Sequence, residues 1–117
     1  MSLLAGRGGR TVVCEACRIA DTPLRRLKGL LGRDELPPGH GLLLRPANAV
    51  HTFFMRFPID IVFLDRDLRV LRVAAHVKPW RAAARRGAHA VLELPAGECE
   101  RRGAHVGDQL RVLNCVA

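Results

Sequence analysis

Apolar and polar positions along the chain fall into short runs, most with the two-residue period of a strand rather than the 3.6-residue period of a helix. Residues 11–20 are β-branched and apolar at intervals and predict a strand. The clearest helical spacing follows at Leu24, Leu27, Leu30 and Leu31, with Asp21 or Thr22 to cap, Pro23 where its missing N–H costs nothing, and Gly32 to end the turn. Leu36-Pro37-Pro38-Gly39-His40-Gly41 interrupts any element, because two prolines break both helix and ladder. Strand-like runs then cover 42–44, 50–55, 59–64, 68–76, 88–94 and 109–116, with Asp65-Arg66-Asp67 joining two of them as a hairpin and a short helical turn at 98–102. The pattern predicts six or seven strands and one or two short helices. Strands in succession, without alternating helices, mean a mainly β chain, α+β at the margin, built as a single antiparallel sandwich or small barrel. Residues 1–10, with three glycines, read as a mobile tail ahead of one β-rich domain at 11–117.

Composition narrows this reading without giving it a chemistry. A chain of 117 residues is one domain, and 49% hydrophobic with 26% charged residues excludes a disordered or collagenous chain. Nineteen Lys and Arg against eleven Asp and Glu give a net charge of +8, which raises the prior for a polyanion partner. The basic residues are dispersed, however, apart from the pairs Arg25-Arg26, Arg85-Arg86 and Arg101-Arg102. Four Phe, one Trp and no Tyr also leave little from which to build stacking platforms, so a nucleic-acid partner is not favoured. No apolar run approaches the ~18 residues of a membrane span or the roughly seven of a secretory signal. A cytoplasmic location follows as the expectation, with the four cysteines as thiols.

Several blocks, taken in order, resemble a known family. They are Gly29-Leu30-Leu31-Gly32-Arg33, Gly41-Leu42-Leu43-Leu44, His51-Thr52-Phe53-Phe54-Met55, Pro58-Ile59-Asp60-Ile61-Val62-Phe63-Leu64-Asp65, Leu92-Glu93-Leu94-Pro95-Ala96-Gly97 and Gly107-Asp108. Their succession resembles the bacterial and archaeal domain of unknown function family 192 over roughly residues 12–112. The resemblance implies a mainly β, jelly-roll-like fold and no established activity. The family's aromatic-Trp-Met-Lys-Asn-Thr stretch appears here as Phe53-Phe54-Met55-Arg56-Phe57.

The most informative cluster is residues 51–60. On a strand, His51, Phe53 and Met55 would share one face, so a His, a Met and an aromatic could line a small pocket. Asp60 enters the next apolar run, where an unpaired carboxylate is costly, and Arg56, Lys78 or His51 is the expected partner. The plain alternative is a buried ion pair at the Pro58 corner. Lys78-Pro79-Trp80-Arg81 sets the only Trp beside cations, as a binding hot spot or as a cap on one end of the sandwich. Glu93 is a lone acid in an apolar strand, and alternation turns it to solvent. Its place in a family block implies instead that it faces the same cavity as His51 and Asp60.

Other chemistries find less support. Cys14-Glu15-Ala16-Cys17 has zinc-knuckle spacing but no second pair, and on one strand its two thiols would face opposite ways, so neither metal nor cofactor is expected. The five histidines show no metalloenzyme spacing. Ser2 is the only serine and lies in the predicted tail, which excludes serine hydrolysis.

The leading expectation is a non-catalytic domain that binds an unidentified small molecule or protein in a pocket of His51, Phe53, Met55, Asp60, Lys78, Trp80 and Glu93. Second comes a hydrolase or lyase with Asp60 or Glu93 and His51 as acid and base. Third is a nucleic-acid or anionic-surface binder working through Arg25, Arg26, Arg85, Arg86, Arg101 and Arg102.

Overall fold

The computed structural model describes residues 3–6, 11–22, 30 and 32–113. Among them the chain forms ten strands and one short helix: β1 (Leu3–Gly6), β2 (Thr11–Cys14), β3 (Ala16–Ala20), β4 (His40–Leu44), β5 (Ala49–His51), β6 (Ile59–Leu64), β7 (Val70–Val77), β8 (Ala82–Ala84), β9 (Ala90–Pro95), α1 (Glu98–Arg102) and β10 (Arg111–Leu113). Most of the helix predicted near Leu24 lies outside the described residues.

A five-stranded sheet in the order β3-β4-β9-β6-β7 forms the centre of the molecule. Its middle strands, Ile-Asp-Ile-Val-Phe-Leu in β6 and Ala-Val-Leu-Glu-Leu-Pro in β9, are buried along their whole length. Such runs are what a strand covered on both faces requires. One face packs Leu43, Val62, Leu92 and Leu94 against Val13 and Cys14 of β2, Cys99 of α1 and Leu110. The opposite face packs Leu42, Leu44, Ile61, Phe63 and Val91 against Leu30, Leu36 and Met55, with Val50 of β5 and Ala83 of β8 at its margin. Two smaller sheets complete the fold: β10-β1-β2, and the ribbon β5-β8.

The predicted β6–β7 hairpin is present. Asp65 makes its turn by accepting the amides of Asp67 at 2.8 Å and Arg69 at 2.9 Å, while Leu68 takes a left-handed φ of 65°. The helical turn at 98–102 is also present, as α1.

Other expectations need correction. The sheet is mixed, not antiparallel throughout, because β3 and β4 run parallel. Connection 21–39 is long enough for the crossover that parallel pairing demands. The five-stranded sheet ends at β3 and β7, so its order closes no barrel. The run 11–20 is two strands in two sheets, broken at Glu15 where the amides of Glu15 and Ala16 both donate to the Gly39 carbonyl at 2.8 Å. Within the segment read as a tail, Leu3–Gly6 is paired on both sides, by β10 and β2.

Candidate functional site

The run 50–55 does not continue as a strand. β5 stops at His51, and Thr52, fully buried, turns the chain. The Thr52 amide donates to the Arg81 carbonyl at 2.7 Å, and its carbonyl accepts from Trp80 at 2.9 Å and Met55 at 3.2 Å. Its hydroxyl donates to the Lys78 carbonyl at 2.6 Å and accepts the Arg81 amide at 2.9 Å. One buried residue thus ties loop 52–57 to the loop leading into β8.

This junction gathers four rings. His51 stacks on Phe53 with centroids 4.9 Å apart, Phe53 on Trp80 at 5.8 Å, and Phe54 tilts against Trp80 at 4.5 Å. All are exposed: Phe53 to 39%, Trp80 to 54% and Phe54 to 70%. Both Phe54 and Trp80 hold left-handed backbone, with φ of 65° and 66°. That conformation costs a non-glycine residue on the order of 1 kcal/mol or more, and it concentrates at functional positions. Three of the chain's five Phe and Trp side chains therefore stand in one exposed cluster whose backbone is held in strain.

The cluster contains His51, Phe53 and Trp80 from the predicted pocket, with Lys78 adjoining through its backbone carbonyl. It also contains Phe54, which strand alternation had assigned to the other face. The remaining pocket residues lie elsewhere. Met55 is buried in the core on the face covered by Leu30 and Leu36. Glu93 shares that face, since it sits opposite Leu42 and Ile61 in the ladders. Asp60, paired with Leu94, points to the opposite face. The expectation of one cavity shared by His51, Asp60 and Glu93 is thus overturned by the parity of β6 and β9.

Asp60 needs no cation. It is fully buried and accepts three backbone amides, from His76 at 2.9 Å, Gly97 at 3.0 Å and Cys99 at 3.0 Å. It therefore caps α1 from another strand, where Gly97 at the N-cap has no side chain to do so. Glu93 does not face solvent: it is 3% exposed, its carboxyl has no hydrogen-bond partner among the described residues, and burial pushes it up to about 7. His51 has no carboxylate partner among them either; its Nδ1 accepts the Phe53 amide at 3.2 Å.

Cys14 and Cys17 do not face opposite ways. The break at Glu15 brings both thiols into the same core cluster, where Cys14 donates to the Gly39 carbonyl at 3.5 Å and Cys17 to the Arg18 carbonyl at 3.7 Å. The neighbouring Cys17 thiol holds Cys14 below the usual thiol range, while Cys14 and burial push Cys17 above it. Burial and the neighbouring Asp60 carboxylate push Cys99 up to about 12. Among the described residues no group of three or more His, Cys, Asp or Glu is placed to hold a metal ion, and no helix is long and apolar enough to cross a membrane.

The paired arginines divide. Arg25 and Arg26 lie outside the described residues. Arg101 and Arg102 both bind the buried Glu98, at 2.6 and 3.0 Å, and Arg102 also binds Glu15 at 2.9 Å. Burial raises Glu98, but the Arg101 hydrogen bond, the Gly39 amide and the Arg102 charge outweigh it and hold the carboxyl low. Lys78, Arg85 and Arg86 are exposed and have no acidic partner among the described residues.

The family model DUF192, described as "Uncharacterized ACR, COG1430", matches residues 5–112. The chain belongs to the DUF192 family. A UPF0127 protein of Thermococcus sibiricus is 31% identical over 80% of this chain, and the match spans 63% of that relative's length, less than two thirds of it. A UPF0127 protein of Pyrococcus furiosus is 34% identical over 80% of this chain and 83% of its own. The crystal structure of a protein of unknown function from Novosphingobium aromaticivorans is similar with a TM-score of 0.80 and 29% identity, covering 93% of this chain and 81% of that one. These relatives carry no activity over to this DUF192 chain.

Proposed function

We propose that this DUF192 chain is a non-catalytic binding domain whose ligand or partner docks on the platform of His51, Phe53, Phe54 and Trp80. The observation that carries this reading is the exposure of three large aromatic side chains in mutual contact, two of them on left-handed backbone. Exposed aromatics of this kind are normally buried against something, and Trp with flanking cations is the residue type that dominates binding hot spots. The enzyme alternative has less support, because the buried acids Asp60 and Glu93 face opposite sides of the sheet and His51 bonds to neither. A layered, jelly-roll-like sandwich and a cytoplasmic location belong to the same proposal. The first is supported by cores on both faces of the central sheet, the second by the unbridged thiols of Cys14 and Cys17.

Trp80 is the only Trp in the chain, so incorporation of 5-fluorotryptophan gives one fluorine resonance that reports on the platform. Fractions of an extract of the native host, separated into small molecules, nucleic acids and proteins, are titrated against it. The expected result is a saturable shift with one fraction that is lost in Phe54→Ala. An unmoved resonance in every fraction, or an equal shift in the variant, overturns the reading.

A further inference from the structure

Resting on that reading of the platform, we infer that its ligand is single-stranded nucleic acid, with unpaired bases stacked on Phe54 and Trp80 and phosphates held by Lys78, Arg81, Arg85 and Arg86.

Charge makes the choice among aromatic-binding ligands. Segments 49–58 and 76–89, which build the platform and the β5-β8 ribbon beside it, contain five Lys or Arg and no Asp or Glu. Arg56 is engaged by Asp34, and Arg81 Nη1 donates to the Trp80 carbonyl at 3.3 Å, so four of the five keep a charge that no acid neutralises among the described residues. An apolar protein partner or a neutral sugar gains nothing from four unpaired cations, whereas a polyanion releases its condensed counterions onto them.

Their spacing follows the ribbon. His51 pairs with Ala82 at the platform end, and Ala49 with Ala84 at the other, where the Arg85 amide closes onto the Asn48 carbonyl at 3.0 Å. Three residue pairs at a rise of about 3.3 Å place Arg85 and Arg86 on the order of 10 Å beyond the rings. Aromatic faces at one end of a basic track are the combination that binds single strands, since each base offers a π-face and each linkage a charge. A duplex keeps its bases stacked on one another and offers the rings nothing, so the platform selects against it.

The dispersed-arginine route, by contrast, has one of its three pairs engaged by acids. Arg101 and Arg102 are occupied by Glu98 and Glu15, and Arg25 and Arg26 lie outside the described residues.

A fluorescein-labelled mixed-sequence 12-mer of DNA and its RNA counterpart are titrated with the full chain at low salt, reading anisotropy and Trp80 emission together. The same duplex and poly-glutamate serve as probes of charge without accessible bases. The expected results are saturable binding of the single strand with quenched Trp80 emission, a roughly tenfold loss of affinity in Phe54→Ala, and weaker binding of duplex and poly-glutamate. Contacts to three or four phosphates should give a slope of log K against log salt of about −2 to −3. Phe54 is 70% exposed, so its removal leaves the core intact, and a thermal melt of the variant checks this.

Absent binding, equal affinity for single strand and poly-glutamate, or an unchanged Phe54→Ala overturns the inference. Its failure is separable from that of the platform itself. If oligonucleotides leave the fluorine resonance unmoved while a protein or small-molecule fraction shifts it, the platform stands and the nucleic-acid assignment falls. If no fraction moves it, both fall.

Discussion

Thr52 and Arg81 hold each other by reciprocal bonds: the Thr52 amide donates to the Arg81 carbonyl at 2.7 Å, and the Arg81 amide donates to the Thr52 hydroxyl at 2.9 Å. Phe53 and Phe54 follow the first residue directly, and Trp80 precedes the second. The platform's geometry is therefore set by a fully buried residue outside the rings themselves. Thr52→Val keeps the shape and deletes the hydroxyl, which leaves the Arg81 amide without that acceptor and the Lys78 carbonyl without its donor. We expect a loss of about 2 kcal/mol in urea unfolding. A red shift of Trp80 emission should accompany it as the ring leaves Phe53 and Phe54. Unchanged emission would show that the rings stay together without Thr52.

Asp60 of β6 reaches across 37 positions to the Gly97 amide and caps α1 through Cys99. A carboxylate accepts on both oxygens, whereas an amide must turn one NH2 group toward a donor. Asp60→Asn is isosteric, so it opens no cavity, yet it sets that NH2 against backbone N–H groups in a fully buried position. A destabilisation of about 3 kcal/mol is expected by chemical denaturation, with amides at the start of α1 exchanging faster in hydrogen-exchange measurements. Loss below about 0.5 kcal/mol would mean that water or relaxation replaces the missing acceptor.

Legibility in the sequence depended on whether a signal was local. The β6–β7 hairpin was readable because Asp65 makes its own turn between two β-branched runs. Helix α1 was readable because Gly97 and Gly103 bracket it, both with left-handed φ. β8 is Ala-Ala-Ala and β1 is Leu-Leu-Ala-Gly, and neither carries a pattern that announces a strand; tertiary pairing makes them. Asp60 was correctly read as a buried acid in need of a partner, but its partners are backbone amides supplied by Gly97 and Cys99, which no charge pattern reveals. Alternation failed at Thr52 because buried hydrogen bonds ended the strand. That failure split the expected pocket and hid Phe54, the most exposed ring of the cluster.

Gly41 on β4 has no room for a side chain. A Cβ there would stand 2.7 Å from Cys14 Sγ, 2.9 Å from Leu94 Cδ2 and 3.1 Å from the Glu93 carbonyl oxygen. Gly41→Ala should cost about 2 kcal/mol by overpacking. Pairing it with Cys14→Ala removes the nearest atom but not the β9 backbone, so the double variant should be more stable than the sum of the two single losses. Strict additivity in a double-mutant cycle would rule out Cys14 as the contact that excludes the side chain.

Glu93 gives the fold a pH dependence of defined sign. Its carboxyl titrates near 4.5 in the unfolded chain, and burial between Leu42 and Ile61 pushes it up to about 7 in the folded one. The folded state therefore favours the protonated form. This stability is fully present below pH 4.5, declines as pH rises through 7, and levels off above that. The shift corresponds to about 3 kcal/mol lost over that window. Glu93→Gln keeps the size of the side chain and cannot ionise. Its stability relative to the wild type should rise by roughly this amount between pH 4.5 and 8, in urea titrations at matched ionic strength. Parallel profiles would show that the native carboxylate is stabilised by groups beyond its apolar neighbours.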